Sequence, residues 1–322
     1  MNSLPFAAGA SWTRARKCAL VAAGVGLFVL PRLAAQVAIW DGGAGTGAWA
    51  TAVNWNPDAV PALTGDLTFD AANANGQYAI ALGANRTARG LTFNSAAGTN
   101  AFTFAAGSTL TINAGGITNN DTDTQIFGSA VTIGADQAWS AASGGLTFNG
   151  AVNVGADLTL GGAGNVSIAG TLTNSGGNRT ITNNGTGTVT FGNINLSEGN
   201  TARTLILSGT GNTTVSGVIA NGGTGAGGLT KPGTGTLVLF GANTYTGATN
   251  INAGTLVIQN AGALGTSANT SNTTVASGGT LQLANGIVTT NAGTLILNGG
   301  GTGSGALQGV GNSTWNGAIS LA

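Results

Sequence analysis

The chain has 322 residues, enough for one large domain or two ordinary ones with a sizeable core. Only 6% of its residues are charged and glycine occurs 58 times, where shares of about 25% and about 7% are usual, so ion-pair networks have little part in the fold. Nine basic residues balance nine acidic ones, and no histidine occurs, which excludes histidine triads, histidine metal sites and the commonest general base.

In chain order, the first element is a targeting segment. Arg14, Arg16 and Lys17 precede the apolar stretch from Cys18 to Leu30, and Ala34 and Ala35 follow, which is the order of a secretory signal over residues 1–35. The stretch is short for a membrane span. Cleavage after Ala35 is expected, with Leu33 an imperfect minus-three residue; an uncleaved anchor is the alternative. Four basic residues leave with the segment, Arg32 being the fourth, so the exported chain carries five basic against nine acidic residues. That balance argues against nucleic acid. Cys18 is the sole cysteine, so no thiol or disulfide remains after cleavage.

Residues 36–78 gather Trp40, Trp49 and Trp55. Large aromatics bring much buried area per residue, and an N-terminal cap over the end of a stack is expected in preference to a sugar-binding platform.

Residues 79–322 carry apolar doublets at i and i+2, from Leu91/Phe93, Leu110/Ile112 and Leu146/Phe148 to Leu237/Leu239, Leu256/Ile258 and Leu295/Leu297. Period two is the mark of a strand with one buried face, and the intervening threonines favour strands. Asn-Gly, Gly-Gly and Asn-Ala-Gly clusters between the doublets read as sharp turns. No helical stripe occurs after residue 36. Gly-Thr-Leu or Gly-Thr-Val recurs at Gly170, Gly187, Gly235, Gly254, Gly279 and Gly293, and INAG or TNAG at Ile112, Ile251 and Thr290. An imperfect repeat of this kind predicts an all-β solenoid of parallel coils, roughly 20 to 25 residues each, around a dozen in all and on the order of 60 Å long.

The chemical motifs are sparse. In GGLTKPGTGTLVLF, Lys231 precedes Pro232 and a strand follows, so the order and context of a nucleotide-binding loop are both wrong. Asp66 and Asp70 fall on one face of a strand, and Asp121 and Asp123 lie in the loop NNDTDTQ. Either pair suits glycosidase or calcium chemistry in principle, and solvated turn residues are the expected reading. The basic residues Arg86, Arg89, Arg179, Arg203 and Lys231 are scattered. Asn-x-Ser/Thr triplets at Asn165, Asn178 and Asn212 follow from composition alone. No catalytic, cofactor-binding or metal-binding residue is assigned.

One stretch resembles a known family. Gly228-Leu229-Thr230-Lys231, Gly233, Gly235-Thr236-Leu237, Leu239, Gly241, Asn243-Thr244-Tyr245-Thr246-Gly247, Thr249, Ile251, Gly254-Thr255-Leu256 and Ala263-Leu264-Gly265 resemble the autotransporter-associated β-strand repeat, also called the passenger-associated transport repeat. The repeat region spans 227–265, and the Trp-Asp-Gly-Gly start with Asn54-Trp55 is similar to mature N-termini of such proteins. The resemblance implies a right-handed parallel β-helix, export across the envelope, an outer-membrane translocator or anchor, and a stalk without catalytic residues. Tyr245 is expected at a corner and Lys231 exposed beside a turn. The chain stops at Ala322 in the middle of what reads as another coil, so a fragment or a different anchor is expected. Partners of such a stalk would be a cell-surface or extracellular polysaccharide or a host surface. The alternatives are a β-helical carbohydrate-active enzyme or binder, which needs grouped carboxylates and basic residues, and a disordered secretory spacer.

Overall fold

The computed structural model describes residues 37–94, 100–266, 268–290, 293–303 and 305–322. The expected signal segment 1–35 and Cys18 lie outside the described residues. Between residues 37 and 322 the chain winds as an all-β parallel solenoid of about ten turns, close to the dozen expected. The only helix described is a single 3-10 turn, Ala52–Asn54.

Three ladders of parallel strands form the faces. The first runs from Ala38–Trp40 through Asp66–Asp70, Leu158–Gly162 and Gly227–Lys231 to Ile319–Leu321. The second joins Ala79–Ile80 to Leu307–Gly309, and the third runs from Arg86–Asn94 to Ile219–Ala220. Register partners on the first face lie 29 residues apart at Ala38 and Leu67 but 20 apart at Leu229 and Thr249, which explains why the sequence repeat is imperfect.

The doublets become inward teeth. On the second face Ile80, Phe104, Phe127, Phe148, Ile168, Phe191, Val215, Leu239, Ile258 and Leu283 stand in one register column, all buried. Thr103, Thr147, Thr190 and Thr214 alternate with them and face outward. Parallel pairing in register places like on like at about 4.8 Å, so each tooth packs on the one a coil earlier and the core is continuous along the stack.

Corners correct one expectation. The Asn-Ala-Gly clusters read as turns between strands, but Ile112–Gly115 and Ile251–Gly254 lie inside the unbroken strands Thr109–Asn119 and Thr249–Ile258, each of which serves two faces. A register shift between Ile251 and Ala253 bends the second strand from face to face, and a shift between Ala88 and Gly90 bends the strand paired with the first. The remaining copy, at Thr290, extends beyond the described residues. Gly254 has φ +65°, and a Cβ there would stand 2.5 Å from the carbonyl oxygen of Thr234. Replacing Gly254 with alanine is therefore expected to lower stability by at least about 2 kcal/mol in a urea titration, because left-handed strain and a backbone clash coincide. A loss below about 0.5 kcal/mol would mean the corner relaxes freely.

At the N-terminal end, Ala38–Trp40 pairs antiparallel with Trp55–Asn56 and parallel with Asp66–Asp70. Trp40 and Trp49 each meet Trp55 edge-on, at 5.0 and 4.9 Å, and Trp55 leans on Phe69 at 5.8 Å. The Trp55 indole N–H donates to the Trp49 carbonyl and that of Trp40 to the Gln77 carbonyl. All three rings are at most 2% exposed, so they offer no platform to a sugar.

Candidate functional site

The stretch from Gly227 to Gly265 forms one complete coil and the start of the next. Gly227–Lys231 lies on the first face, Thr236–Leu239 on the second, and Thr249–Ile258 returns through both. Described strands of the third face end at Ile219–Ala220, and residues 243–245 run there without strand pairing. Losing that strand shortens the coil.

Side chains replace the missing ladder. Asn243, 3% exposed, accepts from the Ile219 amide through Oδ1 at 2.8 Å and donates through Nδ2 to the Ala263 carbonyl at 2.6 Å, so one amide ties three successive coils. Tyr245 is fully buried and its hydroxyl shares a 2.7 Å hydrogen bond with Thr249 Oγ1. Burial drives the phenol's pKa well above the usual range, against a smaller opposing effect of the Thr249 bond. Asn243→Leu should destabilise by about 2–5 kcal/mol, since two buried backbone groups lose their partners; equilibrium denaturation measures it, and an unchanged midpoint would contradict the bridging role.

Lys231 overturns an expectation. Expected exposed beside a turn, it is 3% exposed and stands in register with the core residue Ile251. The strand's alternation forces this, because Leu229 and Lys231 share the inward side. Its ammonium donates to the carbonyls of Gly233, at 2.7 Å, and Ala253, at 2.9 Å. No carboxylate pairs with it among the described ion pairs. Burial lowers its pKa from 10.5 to about 8.

Residues 229–258 match the family model of the passenger-associated-transport-repeat. The matched span lies inside the stretch that carried the resemblance and covers under a tenth of the chain. Comparison with curated proteins and with solved structures gives no match. The repeat and the parallel β-solenoid together fit an autotransporter passenger-like protein. In physical terms the repeat is a coil motif: its Gly-Thr-Leu at Gly254 follows the bent corner, and its Lys231, Asn243 and Tyr245 supply the hydrogen bonds that hold the shortened coil.

Of the residues singled out for chemistry, Asp70 and Asp123 both lie near enough to Asp121 to raise its pKa through their charge, while the basic residues are engaged elsewhere. Asp66 and Asp70 do share the outward side of their strand. Asp66 pairs with Arg89 of the next coil, while Asp70 accepts from the Ala72 amide and the Asn73 side chain and so closes a turn. Arg203 pairs with Glu198, and Arg86 and Arg179 each donate to a backbone carbonyl four residues earlier. Asp121 departs from the solvated turn expected of it: it is 1% exposed, and burial is the main cause of a pKa above the ordinary carboxylate range. Its Oδ1 accepts from the Asp123 amide, and Asp123 Oδ2 accepts from the Asn100 amide. No group of three or more acidic, histidine or cysteine side chains suited to a metal occurs among the described residues.

Asparagine ties the coils together in a way that the apolar pattern does not mark. Asn165, Asn178 and Asn212 each accept from a backbone amide one coil later, at Thr188, Thr204 and Thr236. Asn119, Asn174 and Asn183 are buried at core positions and donate to carbonyls of later coils. A signal for the second group was present: Ile117-Thr118-Asn119, Leu172-Thr173-Asn174 and Ile181-Thr182-Asn183 put asparagine where a doublet would carry its second apolar tooth.

Proposed function

We propose that this chain is an exported surface passenger or stalk, structural rather than catalytic, in which the repeat coil supports secretion. The observation that carries the reading is that the repeat match falls on one full coil of an uninterrupted parallel stack. Supporting it are the basic, apolar, small-residue order of residues 1–35 and a surface with few charges. Right-handed winding belongs to the reading, as does the tryptophan cluster acting as a cap that closes the N-terminal end. An outer-membrane translocator or anchor would complete the export route, and a cell-surface or extracellular polysaccharide or a host surface is the expected partner; nucleic acid is not.

Folding of coils outside the cell would oppose backsliding of the chain, since each new coil buries apolar teeth against the last. The test is expression of the chain joined to an outer-membrane translocator barrel in a bacterial host with an outer membrane, followed by protease treatment of intact cells. The full chain should be digested from outside, a chain lacking residues 1–35 should be protected, and deletion of 229–258 should cut the exported amount severalfold. Equal protection of full and truncated chains would overturn the export reading.

A further inference from the structure

Residues 120–124 join the strands Thr109–Asn119 and Gln125–Phe127 and are tied to the coil on either side. Asp123 Oδ2 accepts from the Asn100 amide at 2.6 Å, one coil earlier, and the Asp121 carbonyl accepts from the Gly144 amide at 2.6 Å, one coil later. Asn119 Nδ2 donates both to the Asp123 carbonyl, at 3.0 Å, and to the Gly145 carbonyl, at 2.9 Å. Gly144 sits so close on the loop that a Cβ there would stand 2.2 Å from the Asp123 carbonyl oxygen. Under this cover the Asp121 side chain is buried.

We propose that Asp121 is an acid-operated latch on this loop: with its carboxyl protonated the three coils close on one another, and with it ionised the loop opens more readily. Burial and charge point the same way. Asp121 Oδ1 accepts from the Asp123 amide at 3.2 Å, a long bond, and no cation pairs with the carboxylate among the described ion pairs. A buried carboxylate with so little support is costly where its neutral form is not. The charges that act on it are those of Asp123 and Asp70, and both oppose ionisation; the backbone bonds from Asp123 and Thr122 favour it but do not prevail over burial. Gly144 and Gly145 of the next coil are uncharged, and residues 95–99, outside the described residues, are Ser-Ala-Ala-Gly-Thr and hold no ionisable side chain. Between the ordinary value of 3.8 and the raised one, the closed loop holds a proton that the opened loop releases. Closure is therefore most stable below that window, weakens as pH rises through it and levels off above it.

The inference does not rest on the export reading. The test is NMR on the full chain: a carbon-13 titration of the Asp121 carboxyl, with amide hydrogen exchange at about pH 4 and about pH 7 corrected for the intrinsic pH dependence of exchange. The carboxyl should titrate above 3.8, and the Asp123 and Gly144 amides should be at least threefold better protected at the lower pH. The amides of Thr188 and Thr236, held by Asn165 and Asn212, should change less. Asp121→Asn, checked for its fold by circular dichroism, should abolish the difference at Asp123 and Gly144. A carboxyl midpoint at or below 3.8, equal protection at the two pH values, or the same pH dependence in Asp121→Asn would each overturn the latch. The titration of the wild-type carboxyl decides even where the variant does not fold.

Discussion

Replacing Phe127 with alanine is expected to remove about 3–5 kcal/mol of stability and to split the unfolding transition in two. Phe127 is fully buried between Phe104 and Phe148, with ring centroids at 4.8 and 4.7 Å and planes inclined by 1° and 13°. The stack is a consequence of register, since three phenylalanines at one ladder position can only pile up at the strand spacing. Each flanking ring is fixed by its own strand, and Trp139 lies against Phe148 at 4.4 Å, so little can move into the void. In a one-dimensional stack the damage stays between neighbouring coils, and the N-terminal coils should melt first. A urea titration followed by tryptophan fluorescence separates the halves, because Trp40, Trp49 and Trp55 lie on one side of the break. A single transition shifted by less than about 1 kcal/mol would contradict layer-by-layer packing.

Stability should rise with pH in the mildly alkaline range, and Lys231 should be the reason. Its pKa is 10.5 when exposed and about 8 in the fold, so between those values the unfolded chain holds a proton that the folded chain has released. Stability increases with pH wherever the unfolded state binds more protons. The gain starts near pH 8 and reaches on the order of 3 kcal/mol by about pH 10.5, at 1.36 kcal/mol per unit. Tyr245 acts in the opposite direction: its pKa is raised by burial, so above about pH 10 the unfolded chain loses a proton the folded chain keeps, and stability falls again. A maximum near pH 10 is expected. Lys231→Met should flatten the rise and Tyr245→Phe should remove the later fall. A wild-type profile that is flat from pH 7 to 10 would mean that the Lys231 amine keeps its proton in the fold as it does in the unfolded chain, its hydrogen bonds or water offsetting its burial.

How far the fold was legible depended on which residues occupied the inward positions. Where leucine, isoleucine, valine or phenylalanine filled both teeth, as in Val152–Val154 or Val189–Phe191, alternation alone identified the strand, because transfer of apolar surface decides which side turns in. Where the second tooth was polar, the pattern broke. Asn119, Asn183 and Lys231 occupy core positions because their hydrogen bonds to carbonyls of their own or later coils offset desolvation, and those partners are settled only when the coils stack. The same limit explains Asp121, whose burial comes from packing within the stack and not from its loop composition. The bent corners are not legible locally, because Asn-Ala-Gly is turn chemistry by itself, whereas parallel pairing on both sides keeps the strand continuous through the bend.

The most direct test of the stacked solenoid is a pair of distances between nitroxide labels in a Cys18→Ser background. Thr103, Thr214 and Gln308 occupy the outward column of the second face, five and nine register steps from one end to the other. At about 4.8 Å per step, Thr103 to Thr214 should measure about 24 Å and Thr103 to Gln308 about 43 Å. Narrow distributions at those values, growing linearly with step number, are the predicted result. Distances that fail to grow with step number, as separate sandwiches would give, or broad distributions from a disordered chain, would contradict it.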